Sequence, residues 1–502
     1  MAFNFSRFPG LDERYVEWLV QERALDAALH YEKLWRYYRN EMEEPALETG
    51  PVSECSRPYR QSQEYGLPSR ITGVRHDFYG GVLGGLATGV QRKEVVIEND
   101  IRWRIDTMVD FLFGEPVVIR STAGQQGRRE EIEAILEAVL RANGGMSYLQ
   151  QLALLGSVYG FVDVIMRWPG VEGSGWTGWS GEAAGDFAGV LERARGIFLE
   201  PIEAPRCVAI LEEEDYRRIR FYVQHYWQLH NLLEDGERRL PIVGRNGLAP
   251  TRQKQTHNTE VIGPECWQRY EDGELVGEGE NPLGVVPVVH IQNMPQGLQY
   301  EGQSDVEPLL GLQDELNTRL SDRANRITFQ SFKMYLGKGI AGFEERAVAP
   351  GRMWSTENLD AQISEFGGDD GSPSEDLHIN EIREALDKTS GVAPIAAGLL
   401  KGRIGNLTSA VALKMTLMGV LAKTQRKQLS YGKGLEDLCR LVLLALDRSG
   451  VYPNAPEERE VEIRWPNPLP ENVIEKLQEA KLKRELGVPA EQVLHEIGYG
   501  GE

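Results

Sequence analysis

The sequence predicts an α+β chain. Three observations carry this: amphipathic helical stripes at both ends, a β-rich middle with a clear hairpin signal, and very long helical runs after residue 304. The chain has 502 residues with 55 Lys+Arg against 76 Asp+Glu, a formal net charge of −21. That length suggests about three domains at ~150 residues each. The acidic balance argues against a protein that coats nucleic acid or anionic membrane, which needs a cationic footprint. Cys55, Cys207, Cys266 and Cys439 lie far apart with no CxxC pair, so neither a zinc ribbon nor a disulfide scaffold is expected, and a reducing cytosol suits the chain. The N-terminus lacks the basic and apolar regions of a signal peptide. The most apolar run, Leu441 to Leu446, is far short of the ~20 residues that span a bilayer, so no membrane partner is expected.

Leu11 to Glu41 reads as helical, with Tyr31, Leu34, Trp35 and Tyr38 on one face. Pro45, Pro51, Pro58 and Pro68 break the next stretch. Asn99 to Phe113 predicts a helix stopped by Gly114, followed by a short strand at Val117 to Ile119. Arg128 to Asn143 predicts an amphipathic helix with Ile132, Ile135, Leu136, Val139 and Leu140 inside. Ser147 is the expected cap of the next one. Phe161 to Trp168 reads as a buried strand. Gly170 to Gly189 reads as a surface excursion whose tryptophans pack locally, in preference to an aromatic binding loop. Arg218 to Trp227 and Val285 to Ile291 are strand-like. Cys266 to Tyr270 and Leu275-Val276 flank Asp272-Gly273, a hairpin turn that accepts positive φ.

Ser304 or Asp305 then caps a helix of ~27 residues, roughly 40 Å at 1.5 Å per residue. Leu309, Leu312, Leu316, Leu320 and Ile327 form its apolar edge. Asp314, Glu315, Arg319, Asp322, Arg323 and Arg326 are expected outside that edge. Phe332 to Gly371 is short-stranded, with a turn at Ala349 to Arg352. Asp369, Asp370, Glu375 and Asp376 do not fit the spacing of a Ca²⁺ loop, and the last two suit the positive end of the helix Ser374 to Lys388. That helix has Leu377, Ile382 and Leu386 inside. A Gly-rich connection, Thr389 to Asn406, leads to a helix from about Thr408 to Asp447, in which Gly432 and Gly434 invite a bend. Glu460 to Trp465 is a last strand, and helices follow at Glu471 to Leu486 and Ala490 to Ile497.

The chemistry-bearing motifs are missing. There is no GxxxxGK[ST], no HExxH and no GxSxG, and the eight histidines are scattered, so no cofactor, metal or catalytic residue is expected.

Four stretches together resemble the portal proteins of tailed bacteriophages. They are Tyr31 through Tyr38; Asn99 through Ile119, with Ile105-Asp106, Leu112-Phe113-Gly114 and Pro116-Val117; Pro287 through Ile291 with Gly302-Gln303-Ser304-Asp305-Val306 and Leu312 to Asn317; and Thr389 to Val392 with Ser409 to Lys414, where Ala410 replaces the usual Gly. The resemblance implies a portal fold and a dodecameric ring at one capsid vertex, with rings of thirteen also known for recombinant portals. It implies double-stranded DNA passing through a central channel. It also implies contacts with the terminase large subunit, a head–tail adaptor, and the major capsid and scaffolding proteins. Residues 1–298 would be the wing, 299–331 and 374–391 the two stem helices, and 332–373 the clip. Residues 392–407 would be the tunnel loop, 408–467 the long helix and last strand completing the wing, and 468–502 a short crown.

On that reading Lys401 and Arg403 are the candidates to touch DNA, with intersubunit ion pairs as the alternative. Leu399, Leu400 and Ile404 are candidates for a channel constriction. Asp314, Glu315, Arg319, Asp322, Arg323 and Arg326 either line the channel or pair between subunits. The competing classes are another structural head or adaptor protein, or a cytosolic enzyme with an unrecognised site.

Overall fold

The computed structural model describes residues 3–40, 96–167, 186–232, 239–240, 252–331, 334–338, 360–366, 373–398, 414–468, 473–490 and 493. It confirms a mixture of helices and antiparallel sheets and divides into two compact units.

The larger unit joins residues 1–38, 102–307 and 391–502. It opens with α1 (Glu13–Trp18), capped by the Asp12 side chain, a π-helical turn at Leu19–Arg23, and α2 (Ala24–Arg39). Helix α3 (Asp100–Phe113) begins at the unit's border. Strand β1 (Val118–Ser121), α4 (Gln126–Ala142), α5 (Met146–Tyr159) and β2 (Phe161–Arg167) follow. Ser147 does not cap α5. The helix starts one residue earlier behind Gly145, whose φ of 59° closes the turn that Gly144 and Gly145 make possible. Then come α6 (Phe187–Arg195), capped by Asp186, β3 (Phe198–Ile202) and β4 (Cys207–Leu211). The sheet continues through β5 (Ile219–Leu232), β6 (Arg239–Leu240), β7 (Arg252–Ile262), β8 (Cys266–Glu271) and β9 (Glu274–Glu280), before β10 (Val288–Gln292).

Strands β4-β5-β7-β8-β9 form one antiparallel sheet with β6 on β5. Its β8–β9 turn places Asp272 and Gly273 at φ 51° and 87°, as the Asp-Gly signal predicts. One face covers a cluster built from Phe3, Phe5 and Phe8 of the extreme N-terminus with Val16, Phe221, Val223, Val261 and Tyr270. A second sheet has the order β10-β2-β3. Strand β2 is buried along nearly its whole length, hence its apolar sequence, interrupted within the buried stretch only by Asp163.

The unit closes with α9 (Met418–Arg448), β13 (Val461–Arg464), which pairs with β1, and α10 (Val473–Glu485). Helix α9 is one continuous element of 31 residues. Its Gly432 and Gly434 allow close approach: a Cβ at Gly434 would stand 2.4 Å from Ile291, and one at Gly432 3.4 Å from the Trp465 ring.

The smaller unit joins residues 39–101 and 308–390. Its described part consists of α7 (Leu310–Ser331), α8 (Pro373–Ser390) packed against it, and the antiparallel pair β11 (Met334–Lys338) and β12 (Gln362–Phe366). Helix α7 is shorter than expected because Glu307–Leu309, including Pro308, forms a 3₁₀ turn ahead of it. Leu377 is 61% exposed rather than inside, because Ile379, Ile382 and Leu386 set the buried phase of α8. Ile327 is 52% exposed; it lies level with the first turn of α8, where the helix pair ends. The features expected at residues 45–68, 170–185, 349–352 and 369–370 lie outside the described residues.

Gly160 (φ 97°) and Gly302 press backbone on backbone. A Cβ on either would sit 2.3–2.4 Å from the other's carbonyl oxygen. Gly302→Ala is therefore expected to destabilise the fold by about 2 kcal/mol or more. Gly311→Ala, where a Cβ meets nothing within 4 Å, should be neutral or gain up to about 1 kcal/mol. Urea unfolding of the two variants checks the contrast; equal stabilities would refute it.

Candidate functional site

The segment Gly302-Gln303-Ser304-Asp305 divides its labour. Ser304 Oγ accepts from the Val306 N–H (3.0 Å) and donates to the Val158 carbonyl (2.6 Å), so Ser304 is the capping residue. Asp305 is left for another task. Its N–H donates to the Ser157 carbonyl (2.8 Å), and its carboxylate faces Lys423 Nζ at 2.7 Å and Lys427 Nζ at 2.5 Å. Asn293 Nδ2 donates to the same carboxylate (3.0 Å), and Lys427 donates to Ser157 Oγ (2.8 Å). The two lysines are one turn apart on α9, with Tyr431 a turn further on. The side chains of Lys427 and Asp305 are 1% and 4% exposed.

Burial alone would raise the Asp305 carboxyl, but the two ammonium groups outweigh it and hold it well below the usual carboxylate range. Burial pulls Lys427 below the ordinary lysine value, against the opposing pull of Asp305. Tyr431 is pushed well above its ordinary value, by burial first and then by Asp305. No sequence signal marks these lysines: Lys423 and Lys427 stand in a helical stripe where charge reads as solvent-facing.

A second buried cluster surrounds Asp163. Its carboxylate accepts from Tyr222 (3.0 Å) and Tyr300 (2.9 Å), and His290 Nδ1 lies 2.6 Å away. Burial, followed by the carboxylate of Asp163, raises both tyrosines well above their ordinary value. This looks like an acid–base constellation, but His290 Nε2 is engaged by the Tyr300 carbonyl at 2.8 Å. Neither ring nitrogen is free to meet a reacting group, so the cluster ties β2, β5 and β10 together.

On α7 the expected division of residues changes. Leu316 and Leu320 are buried, as is Leu309 just ahead of the helix, but so are Gln313, Asp314, Asn317 and Ser321. Gln313, Asn317 and Ser321 form a ladder at four-residue steps. They accept from the N–H groups of Asp100 (3.2 Å), Glu98 (3.1 Å) and Val96 (3.0 Å), holding that extended segment against the helix. Asp314 thus does not stay outside the packed face.

The other charges pair within the chain. Arg319 meets Glu315 (2.7 Å) and Asp322 (3.3 Å), Arg323 meets Asp376 (3.0 Å), and Arg326 pairs with Glu375. Arg383 of α8 reaches Glu98 at 2.7 Å. Lys401, Arg403, Leu399, Leu400 and Ile404 lie outside the described residues. Both flanks of their segment are described: Val392 on one side and Leu417 and Val420 on the other share a buried cluster with Met108.

Among the described residues no His, Cys, Asp and Glu cluster is suited to a metal ion, and no helix is long and apolar enough to cross a membrane.

Two outcomes are expected from the Asp305 cluster. Asp305→Ala strands a buried ammonium group and should cost about 3–5 kcal/mol, much of it recovered when Lys427→Met is added. A double variant no more stable than the single one would refute the pairing. The folded carboxyl lies below its unfolded value of about 3.9. Its contribution is therefore complete above that pH and is lost as pH falls from there toward the folded value. Asp305→Asn should flatten the acid limb of the stability profile, and an unchanged limb would count against it.

No curated protein sequence matches the chain significantly. Similar solved structures include "Neck of empty GTA particle computed with C6 symmetry", 12% identical, covering 80% of this chain and 90% of that one with a TM-score of 0.46. Another is "Virion of native gene transfer agent (GTA) particle", 11% identical, covering 79% and 89% with a TM-score of 0.41. Residues 96–498 match the family described as Phage portal protein, SPP1 Gp6-like. That span takes in the Asp305 cluster, the Asp163 cluster and the α7–α8 pair, and the chain belongs to this phage portal protein family.

Proposed function

We propose that twelve copies of this chain form a ring at one vertex of a phage-type capsid. The ring is the channel through which double-stranded DNA enters during packaging and later leaves. The observation that carries this reading is the family match across residues 96–498. The family is a structural one, and the proposed mechanism is conduction, with ATP hydrolysis left to the terminase large subunit. A head–tail adaptor takes the same end of the ring after packaging, and the major capsid and scaffolding proteins surround it.

In this reading α7 and α8 are the stem, residues 332–373 the clip, 392–407 the tunnel loop and 468–502 the crown. The stem helices carry eight acids against five bases, and Arg319, Arg323, Arg326 and Arg383 are all matched to carboxylates of the same chain. The excess on such a surface is negative, so a DNA backbone slides past without binding. Lys401 and Arg403 supply transient contacts with phosphate, and Leu399, Leu400 and Ile404 narrow the channel.

Native mass spectrometry and negative-stain imaging of the purified full chain test the ring. Rings of twelve, or thirteen when recombinant, with a central hole are expected; a monomer at every concentration refutes the proposal. Lys401→Ala with Arg403→Ala should leave assembly intact and impair DNA packaging or retention in particles. Normal packaging and retention would remove the loop cations from the mechanism.

A further inference from the structure

We infer that the outward face of α9 is the seat of a neighbouring copy of this chain. The inference rests on the ring reading above and names the surface that builds the ring.

Helix α9 is unusual on both sides. Its inner face buries Val420, Thr424, Lys427, Tyr431, Leu435 and Leu438. Its outer face leaves large apolar side chains in solvent: Met418 is 61% exposed and Leu429 77%, and Met415 in the turn just before the helix is also exposed. Met418, Ala422, Gln425 and Leu429 follow one another at steps of four, three and four, the spacing of a seam that packs against another element. Met415 to Leu429 spans ~20 Å at 1.5 Å per residue.

The charge around the seam says what covers it. From Lys414 to Gly434 there are five bases (Lys414, Lys423, Arg426, Lys427 and Lys433) and no acid, in a chain of net charge −21. Lys423 and Lys427 face inward to Asp305, and Lys433 meets Asp437 at 3.0 Å. Lys414 and Arg426 are exposed with no ion-pair partner among the described residues. The seam is thus apolar along its centre and cationic at its rim, so the surface that covers it is apolar with acids around it. A DNA duplex supplies the acid but no apolar surface for Met418 and Leu429. Another copy supplies both, because the rest of this chain is more acidic than its net charge and exposes further apolar residues. Two seams meeting face to face would set two cationic rims against each other. The contact is therefore head-to-tail, seam of one copy to acidic surface of the next, which is the geometry that closes rings.

The test compares full-length wild type, Met418→Glu with Leu429→Glu, Arg426→Glu, and the control Leu298→Glu at an isolated exposed leucine. Native mass spectrometry and size exclusion across a dilution series read assembly, with far-UV circular dichroism and thermal unfolding reading fold. The double variant is expected to keep its fold and to lose rings at roughly tenfold or higher protein concentration than wild type, Arg426→Glu less so, and the control not at all. Double-variant rings as stable as wild-type rings overturn the inference alone. So does an Arg426→Glu chain that forms normal rings yet loses DNA from particles, which would assign the face to DNA. A wild-type chain that never forms rings overturns the ring reading and this inference together.

Discussion

The fold of the larger unit turns on one carboxylate placed between two ammonium groups in the protein interior. Asp305, Lys423 and Lys427 are nearly or fully withdrawn from water, and charges so placed are tolerated only when they find each other. Replacing such a group with apolar residues often costs little, so its value lies less in net stability than in excluding alternatives. A slip of α9 by one residue turns Lys427 by about 100° and leaves Asp305 and an ammonium group unmatched. The same register that satisfies Asp305 sets Tyr431 against Gly156, Gly432 against Trp465 and Gly434 against Ile291. The small residues at those contacts and the charged ones at the cluster therefore specify one docking of the longest helix.

The Asp163 cluster applies the same constraint to the sheets. Three hydroxyl and imidazole partners converge on a fully buried acid from β5, β10 and the loop that carries Tyr300. Its geometry separates a structural cluster from a catalytic one. In a catalytic pair the histidine presents its second nitrogen to a substrate; here a backbone carbonyl occupies it. This agrees with membership of a structural family and locates the reason in a named hydrogen bond.

Periodicity and turn chemistry make most elements legible. The α4 stripe, the Asp272-Gly273 hairpin and the buried β2 run are local signals, and each appears within a few residues of its expected place. The misses share a cause. Asp314 is expected outside the apolar edge yet is buried, and with it Gln313, Asn317 and Lys427, with Lys423 partly so; partners for the amides and lysines come from Val96–Asp100 or Ser157–Asp305, distant in sequence. The N-terminal Phe3, Phe5 and Phe8 are likewise legible as apolar but not as core, since nothing local says which sheet receives them. Ile327 is exposed at a helix end, where the covering element stops before the stripe does, and Leu377 because Ile379, Ile382 and Leu386 set a different buried phase. The proposed loop residues Lys401 and Arg403 are legible only through the family resemblance, which places them on a connection but gives no partner.

The described ends of that connection are held by the packing beside them. Val392 enters and Leu417 leaves within one buried cluster, and a Cβ at Gly419 would come 3.3 Å from the Gly391 carbonyl. Both feet of the intervening segment therefore rest on α3 and the first turn of α9. Leu417 and Val420 lead into a helix whose next turns hold Lys423 and Lys427. Displacing α9 along its axis would tear those lysines from Asp305. The buried charges therefore fix the position of α9 beside the described ends of that segment, Val392 and Leu417.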